Sequence, residues 1–215
     1  MPIILNGAVR NNFRFGDTTP QRIFMGNELV WPAFTVATQE FTSTGSYTYN
    51  IPPNCRFIDI VVVGAGGGGQ ASAALFNYGA PGDPGKWAGV TLKRGVDIPW
   101  GITQITGTVG SGGAGGPGPS IVPGFPGGDT TATFSGGGTL TGAGGGGGIG
   151  WASSQANSRG RSPGNFTWNG VLYVGGGAVT SNNQPGNPPG GSGSGSAQLS
   201  SGRDGARGQV WFRAY

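Results

Sequence analysis

Glycine is concentrated in dense tracts: positions 64–69 are interrupted only by Ala65, and 144–148 are five glycines in succession. A residue without a Cβ loses the most backbone freedom on ordering and lies about 1 kcal/mol below alanine in helix propensity, so long α-helices are excluded from most of the chain. With 49 glycines and 16 prolines in 215 residues, about 30% in all, the composition approaches that of low-complexity sequences. Yet only 9% of residues are charged and the formal charge is +4, too little self-repulsion to hold a chain open. Leu, Ile, Val and Phe supply about a fifth of the residues, the lower edge of what builds a core. What remains is an all-β fold with a thin core, plus an arrangement specific to glycine.

The strand signals are concentrated before residue 110. Arg22-Ile23-Phe24-Met25 and Glu28-Leu29-Val30-Trp31 flank Gly26-Asn27, a glycine-first pair of the kind that closes a hairpin. Residues 34–41 and the alternating Tyr47, Tyr49 and Ile51 read as a second hairpin turning at Ser43-Thr44-Gly45-Ser46. Residues 57–63 are almost continuously apolar, as expected of a central strand covered on both faces. Further strands are expected at 87–93, 103–109, 130–134, 171–174 and 209–214. Because the last of these must return to the sheet, the glycine tracts before it are loops anchored at both ends.

The tracts at 107–118, 124–128, 136–150, 175–177 and 186–195 keep no strict Gly-X-Y period, which excludes collagen. Polyglycine can form the extended left-handed threefold helix, with 3 residues per turn, about 3.1 Å rise and no internal hydrogen bonds. Several such helices side by side can satisfy one another's backbone groups. The expected fold is thus a small N-terminal β-hairpin region (1–35) followed by an antiparallel β-sandwich (36–215) with a glycine-rich distal part packed as polyglycine II helices. On this reading the tract 136–150 spans roughly 46 Å. The competing reading, a flexible Gly/Ser linker, applies best to 186–205, where Ser and Asn alternate with Gly.

Gly64-Ala65-Gly66-Gly67-Gly68-Gly69 after Val61-Val62-Val63 matches the dinucleotide-binding pattern. That site needs a helix to aim at pyrophosphate and an acidic residue at the end of the next strand. The stretch from Gln70 to Asn77 gives two turns at most, and Asp83 and Asp97 both lie in loops, so a NAD- or FAD-binding oxidoreductase is kept only as an alternative. The chain has no histidine and one cysteine, Cys55, so the usual general base and common metal ligand are missing. No enzymatic activity, cofactor or metal is expected. Cys55 reads as a small residue at the start of a strand. The basic residues form no dense patch, so no nucleic-acid partner is expected. No apolar run approaches the length of a membrane span, and no signal sequence is read at the N-terminus.

Residues 150–170 hold Trp151, Arg159, Arg161, Phe166 and Trp168 among Ser, Asn and Gln. Aromatics that supply contact area beside adaptable polar groups are typical of recognition loops. The plainer reading has Phe166 and Trp168 capping the ends of the glycine bundle. Tyr78 is a further contact candidate on the same reasoning.

Four stretches resemble the glycine-rich minor tail proteins of long-tailed phages of actinobacteria, such as mycobacteriophages. They are Gln21-Arg22-Ile23-Phe24-Met25-Gly26-Asn27-Glu28-Leu29-Val30-Trp31-Pro32, the region 41–69 with Tyr47-Thr48-Tyr49 and Pro52-Pro53, Val96-Asp97-Ile98-Pro99-Trp100-Gly101 with 105–110, and the ending 208–215. The resemblance implies a virion protein of the phage tail, exposed at the tail tip, assembled in the host cytoplasm and involved in host-surface attachment. Residues 1–35 would dock to the particle. Implied partners are other phage tail proteins, further copies of itself in a homo-oligomer with a trimer favoured, and a bacterial cell-surface glycan or glycolipid. Membrane insertion is not implied. A purely structural coat protein without a receptor is the other non-enzymatic alternative. The loops 75–86 and 151–168 are where such proteins vary.

Overall fold

A computed structural model of the chain describes residues 4–5, 8–9, 14, 16–18, 20–26, 28–73, 77–134 and 138–215. In chain order its strands are β1 (Ile4–Leu5), β2 (Ala8–Val9), β3 (Ile23–Met25), β4 (Glu28–Trp31), β5 (Ala37–Phe41), β6 (Gly45–Asn50), β7 (Phe57–Val63), β8 (Tyr78–Gly79), β9 (Trp87–Lys93), β10 (Gln104–Val109), β11 (Thr130–Phe134), β12 (Gly138–Gly142), β13 (Trp151–Ala152), β14 (Phe166–Trp168), β15 (Val171–Tyr173) and β16 (Gln209–Ala214). Every pairing between them is antiparallel. The fold is all-β: among the described residues the one helical element is a single 3-10 turn, Ala156–Ser158.

Two four-stranded sheets, ordered β5-β16-β7-β9 and β12-β11-β10-β6, make a sandwich. Alternation along each strand fills the space between them. Ile58, Ile60 and Val62 of β7 and Val210, Phe212 and Ala214 of β16 meet Tyr47 and Tyr49 of β6, Ile105 and Val109 of β10, and Ala132 of β11. Tyr49 stacks on Phe212 with ring centroids 3.9 Å apart. Cys55 is buried in this core, and burial pushes its thiol pKa up.

The apolar run 57–63 is the covered central strand expected, and its outer face carries a second, smaller core. There the hairpin β14–β15 lies against the first sheet. Trp87 stacks between Phe166 and Trp211, with centroids 5.5 and 5.4 Å away. Trp168 packs over Gly89, where a Cβ would come within 2.9 Å of its ring. Asp59, fully buried, accepts from Thr91 Oγ1, Asn169 Nδ2 and the Tyr215 hydroxyl and pairs with Arg213 at 3.2 Å, pinning the hairpin turn. That turn, Asn169-Gly170, has positive φ at both residues (47° and 74°), as a two-residue hairpin turn of this type requires.

The expected hairpin across 34–51 does not form. β5 pairs with β16 in one sheet and β6 with β10 in the other, so residues 42–44 cross between sheets. The reason is that Phe41 and Tyr47, stacked at 4.4 Å, both face the interior, and a hairpin in one sheet could not have put the two strands on opposite sides of the core. The N-terminal hairpin β3–β4 does form, although Asn27 lies outside the described residues. It meets the sandwich at the end where β7 begins: Arg22 Nε donates to Asn54 Oδ1 at 2.7 Å, and Phe24 meets Trp100 edge-on at 5.2 Å.

At the other end of β7 the chain runs straight into a threefold helix, residues 64–72, whose residues are all buried. The amides of Gly64, Gly67 and Gln70 donate to the carbonyls of Lys86, Asp83 and Ala80. Those of Ala65, Gly68 and Ala71 donate to Gly128, Phe125 and Val122, and those of Gly66, Gly69 and Ser72 to Ala206, Arg203 and Ser200, all at 2.9–3.1 Å. Successive residues thus face three different neighbours in rotation, which is the three-residue turn of polyglycine II. The carbonyls do the same with three more: Ala65 and Gly68 accept from Gly145 and Gly148, Gly66 and Gly69 from Gly113 and Gly116, and Gly67 and Gln70 from Gly193 and Ser196.

The six neighbours close a ring around the central helix. Bonds from Asp83 to Gly146, Gly82 to Gly193, Arg203 to Ser194, Gly205 to Gly113, Phe125 to Ala114 and Gly124 to Gly148 join each to the next. Glycine is required because the helices touch through their backbones. A Cβ on Gly66, Gly67, Gly68 or Gly69 would overlap the carbonyl oxygen of Gly191, Gly146, Ala114 or Ser194, residues that belong to three different neighbours. Outer helices leave one row in three free, so in 110–117 the non-glycine residues Ser111, Ala114 and Pro117 are the exposed ones.

The bundle corrects several sequence expectations. Residues 107–109 belong to β10. Within the tract 136–150, Gly138–Gly142 form β12, so the helical part, 143–150, spans about 25 Å instead of 46 Å. The segment 190–196 is no linker: all of its residues are buried, with Ser192 and Ser194 hydroxyls accepting from the amides of Arg161 and Gly160. The glycine-rich motif at 64–69 is the bundle axis. Each of its amides donates to a backbone carbonyl, so none is left to bind a pyrophosphate.

Candidate functional site

The far end of the bundle is where backbone packing stops and side chains reach solvent. The Gln70 side chain ends the lattice there: its amide nitrogen donates to the Gly150 carbonyl and its carbonyl accepts from the Gly150 amide, both at 2.7 Å. Beside it β8 pairs with β13 in the register Trp151↔Gly79 and Ala152↔Tyr78, and Tyr78 also bridges Ala197. Ser158 Oγ donates to the Gly79 carbonyl at 2.9 Å, tying the 3-10 turn to the same edge.

Four large apolar side chains surround the end of the central helix. Ile121 precedes Val122, the acceptor of the Ala71 amide; Leu199 precedes Ser200, the acceptor of the Ser72 amide; Ile149 and Trp151 flank Gly150, the partner of Gln70. Their exposures are 60, 47, 76 and 45% respectively, too high for core residues. Around them lie exposed polar residues, with Asn157 Nδ2 donating to Ser153 Oγ at 2.8 Å. About one helical turn below the tip sit two cations. Arg203 Nε donates to Asn183 Oδ1 at 2.6 Å and Arg159 Nε to Asn182 Oδ1 at 3.3 Å. Among the described residues neither has a carboxylate partner.

The six residues singled out in the sequence therefore separate. Tyr78 and Trp151 stand together at the tip. Arg159 lies just below it, and Arg161 lies further down the flank, paired with Asp83 at 3.1 Å on the surface. Phe166 and Trp168 are neither at the tip nor capping the bundle. They are half-buried on the sandwich, because alternation in β14 turns both rings onto Trp87 and Gly89. The stretch 75–86, expected to be a loop, carries β8 at Tyr78–Gly79 and then a bundle helix over 80–86. Ile121, Ile149 and Leu199 escaped sequence reasoning. Their signal was a branched aliphatic in a short stretch rich in Gly, Pro or Ser, outside any strand pattern. Among the described residues no group of three or more metal-ligating side chains is assembled.

The family described as a glycine-rich domain matches residues 42–215, taking in both sheets except β5 and the whole bundle. The chain belongs to this family. As a glycine-rich domain it is similar to the Gene 32 protein of Mycobacterium phage L5, 48% identical over 210 residues that cover 90% of this chain and 89% of that protein. It is also similar to the Gene 32 protein of Mycobacterium phage D29, 45% identical over 205 residues and 90% of each chain. These relatives support a phage origin for the glycine-rich domain described here.

Proposed function

We propose that the protein is a structural component of the phage virion, placed in the tail and exposed at its tip, where the end of the glycine bundle contributes to attachment to the host surface. The observation that carries this reading is the polarity of the molecule. The N-terminal hairpin sits at the start of β7, while the ring of Tyr78, Ile121, Ile149, Trp151 and Leu199 lies at the end of the helix that continues it. Strand and helix together separate the two ends by about 50 Å. The hairpin end serves docking to other tail proteins in a homo-oligomer, a trimer favoured, and the bundle end presents a cell-surface glycan or glycolipid with adaptable loops on a stiff support. Several copies on one particle raise avidity without stronger individual contacts.

Adsorption of the purified protein to host cells tests the assignment. The double variant Tyr78→Ala, Trp151→Ala is expected to lose most of its binding with thermal stability unchanged. Full adsorption by this variant would count against the tip, and adsorption absent even in the wild type would favour the purely structural reading.

A further inference from the structure

Accepting the attachment reading, we infer that the bundle tip engages a lipid layer with anionic headgroups, its apolar ring entering the acyl boundary while two arginines stay at headgroup depth. Four large apolar side chains, Ile121, Ile149, Trp151 and Leu199, sit on residues adjacent to those bound by Gln70, Ala71 and Ser72, the last three residues of one central helix. They therefore share one end of the molecule. A glycan-binding face offers flat aromatics and paired polar groups, whereas three of these four are aliphatic and make no polar contact. Trp151 adds the amphipathic ring that settles at a lipid–water boundary.

The cations set the depth. The Gly69 amide donates to the Arg203 carbonyl, and Ser158, next to Arg159, accepts from Gly195. Both arginines thus lie about one threefold turn, roughly 9 Å, behind the tip. This matches the 5–10 Å to which apolar side chains enter the headgroup and acyl boundary of a membrane surface. Each guanidinium uses its Nε on an asparagine carboxamide, which orients it and leaves the two terminal nitrogens for a phosphate or carboxylate. The flank cation Arg161 pairs with Asp83, and the Asp204 carboxylate next to Arg203 accepts from the Gly115 amide, so neither acid pairs with the two arginines. The tip lies on the layer and does not span it, since the bundle behind it exposes polar backbone and small residues.

Vesicle co-sedimentation of the full-length protein provides the test, using phosphatidylcholine alone and phosphatidylcholine with about one part in three phosphatidylinositol. Binding is expected to both and to be stronger on the anionic vesicles. Ile149→Ser should weaken binding to either vesicle by tenfold or more, from the apolar carbons withheld from lipid. Arg159→Gln and Arg203→Gln should each cost about fivefold on anionic vesicles only. Fluorescence quenching by brominated lipid should fall in Trp151→Phe, which keeps the fold and marks the residue that enters. Wild-type protein that adsorbs to cells but ignores both vesicles would overturn the lipid assignment and leave attachment standing, with a glycan or protein receptor indicated. Protein that binds neither would overturn the attachment reading itself.

Discussion

The sharpest test of the bundle substitutes two glycines that touch across one contact. Gly67 lies on the central helix, and a methyl group there would overlap the Gly146 carbonyl oxygen, with the Gly146 carbonyl carbon at 2.6 Å and the Gly145 oxygen at 2.9 Å. Backbone cannot rotate away as a side chain can, so the two helices must separate by an ångström or more. That breaks the two bonds that join these helices, from Gly145 to Ala65 and from Gly148 to Gly68, and leaves four backbone groups unpaired. Leaving buried backbone groups unpaired costs about 1–3 kcal/mol each, so Gly67→Ala is expected to destabilise by about 4–6 kcal/mol. For a chain of this size that lowers Tm by roughly 10–20 °C. Gly146→Ala is the control. Its methyl would project outward, with Asp83 Oδ2 at 3.4 Å its nearest neighbour, and its backbone lies outside the left-handed region. Reduced freedom in the unfolded chain makes this change neutral or stabilising by up to about 1 kcal/mol. Thermal and urea denaturation followed by circular dichroism measure both. Equal stabilities for the two variants would refute close backbone packing as the source of order.

Other expectations follow from the sandwich and the axis. Burial raises the phenol pKa of Tyr47, Tyr49, Tyr173 and Tyr215, so the folded state favours the neutral form. This contribution is complete below the unfolded value near 10 and is lost as pH rises through the higher folded values. The urea midpoint should be flat to about pH 9 and fall above about pH 10; a midpoint constant to about pH 11 would show that the rings ionise freely. Asp59→Ala removes the acceptor shared by Thr91, Asn169, Tyr215 and Arg213, and should cost about 2–4 kcal/mol. Hydrogen exchange should then speed up in β14 and β15 while the bundle stays protected; uniform protection would contradict the pinning role. Titration with NADH should leave its fluorescence unchanged and the purified protein should not absorb between about 350 and 500 nm, because the amides of 64–69 are engaged; a cofactor signal would reopen the oxidoreductase alternative.

Much of the sandwich was legible because side-chain alternation survives in it. Tyr47, Tyr49 and Ile51 point inward, as their spacing says, and the unbroken run of β7 announced a strand with two covered faces. Strand partnership was not legible: nothing local to residues 42–44 distinguishes a tight turn from a crossing between sheets. The hairpin at Asn169-Gly170 carried a strong turn pair between Phe166-Thr167-Trp168 and Val171-Leu172-Tyr173, and attention to Phe166 and Trp168 as contact residues obscured it. Polyglycine helices were expected from composition, but their limits could not be. A glycine in β12 and one in 143–150 look alike in sequence, and what separates them is which neighbour accepts the amide. The axis at 64–72 was set aside as a chance motif because a threefold helix writes no pattern when all of its rows are buried. At the tip, Tyr78 and Trp151 stood out as aromatics, whereas Ile121, Ile149 and Leu199 came into view only once the chain ends of the bundle were brought together.

The three-residue turn also governs how such a bundle can change in length. Inserting one residue within 110–116 would swing everything after it through a third of a revolution, turning Ala114 inward and presenting a bare glycine to water. Inserting three would slide the register forward by roughly 9 Å and restore every contact one step along. Length variation inside the lattice is thereby restricted to whole triplets, and single-residue drift is confined to the turns that join one helix to the next. The tip can be rebuilt freely on a shaft that tolerates only quantised edits.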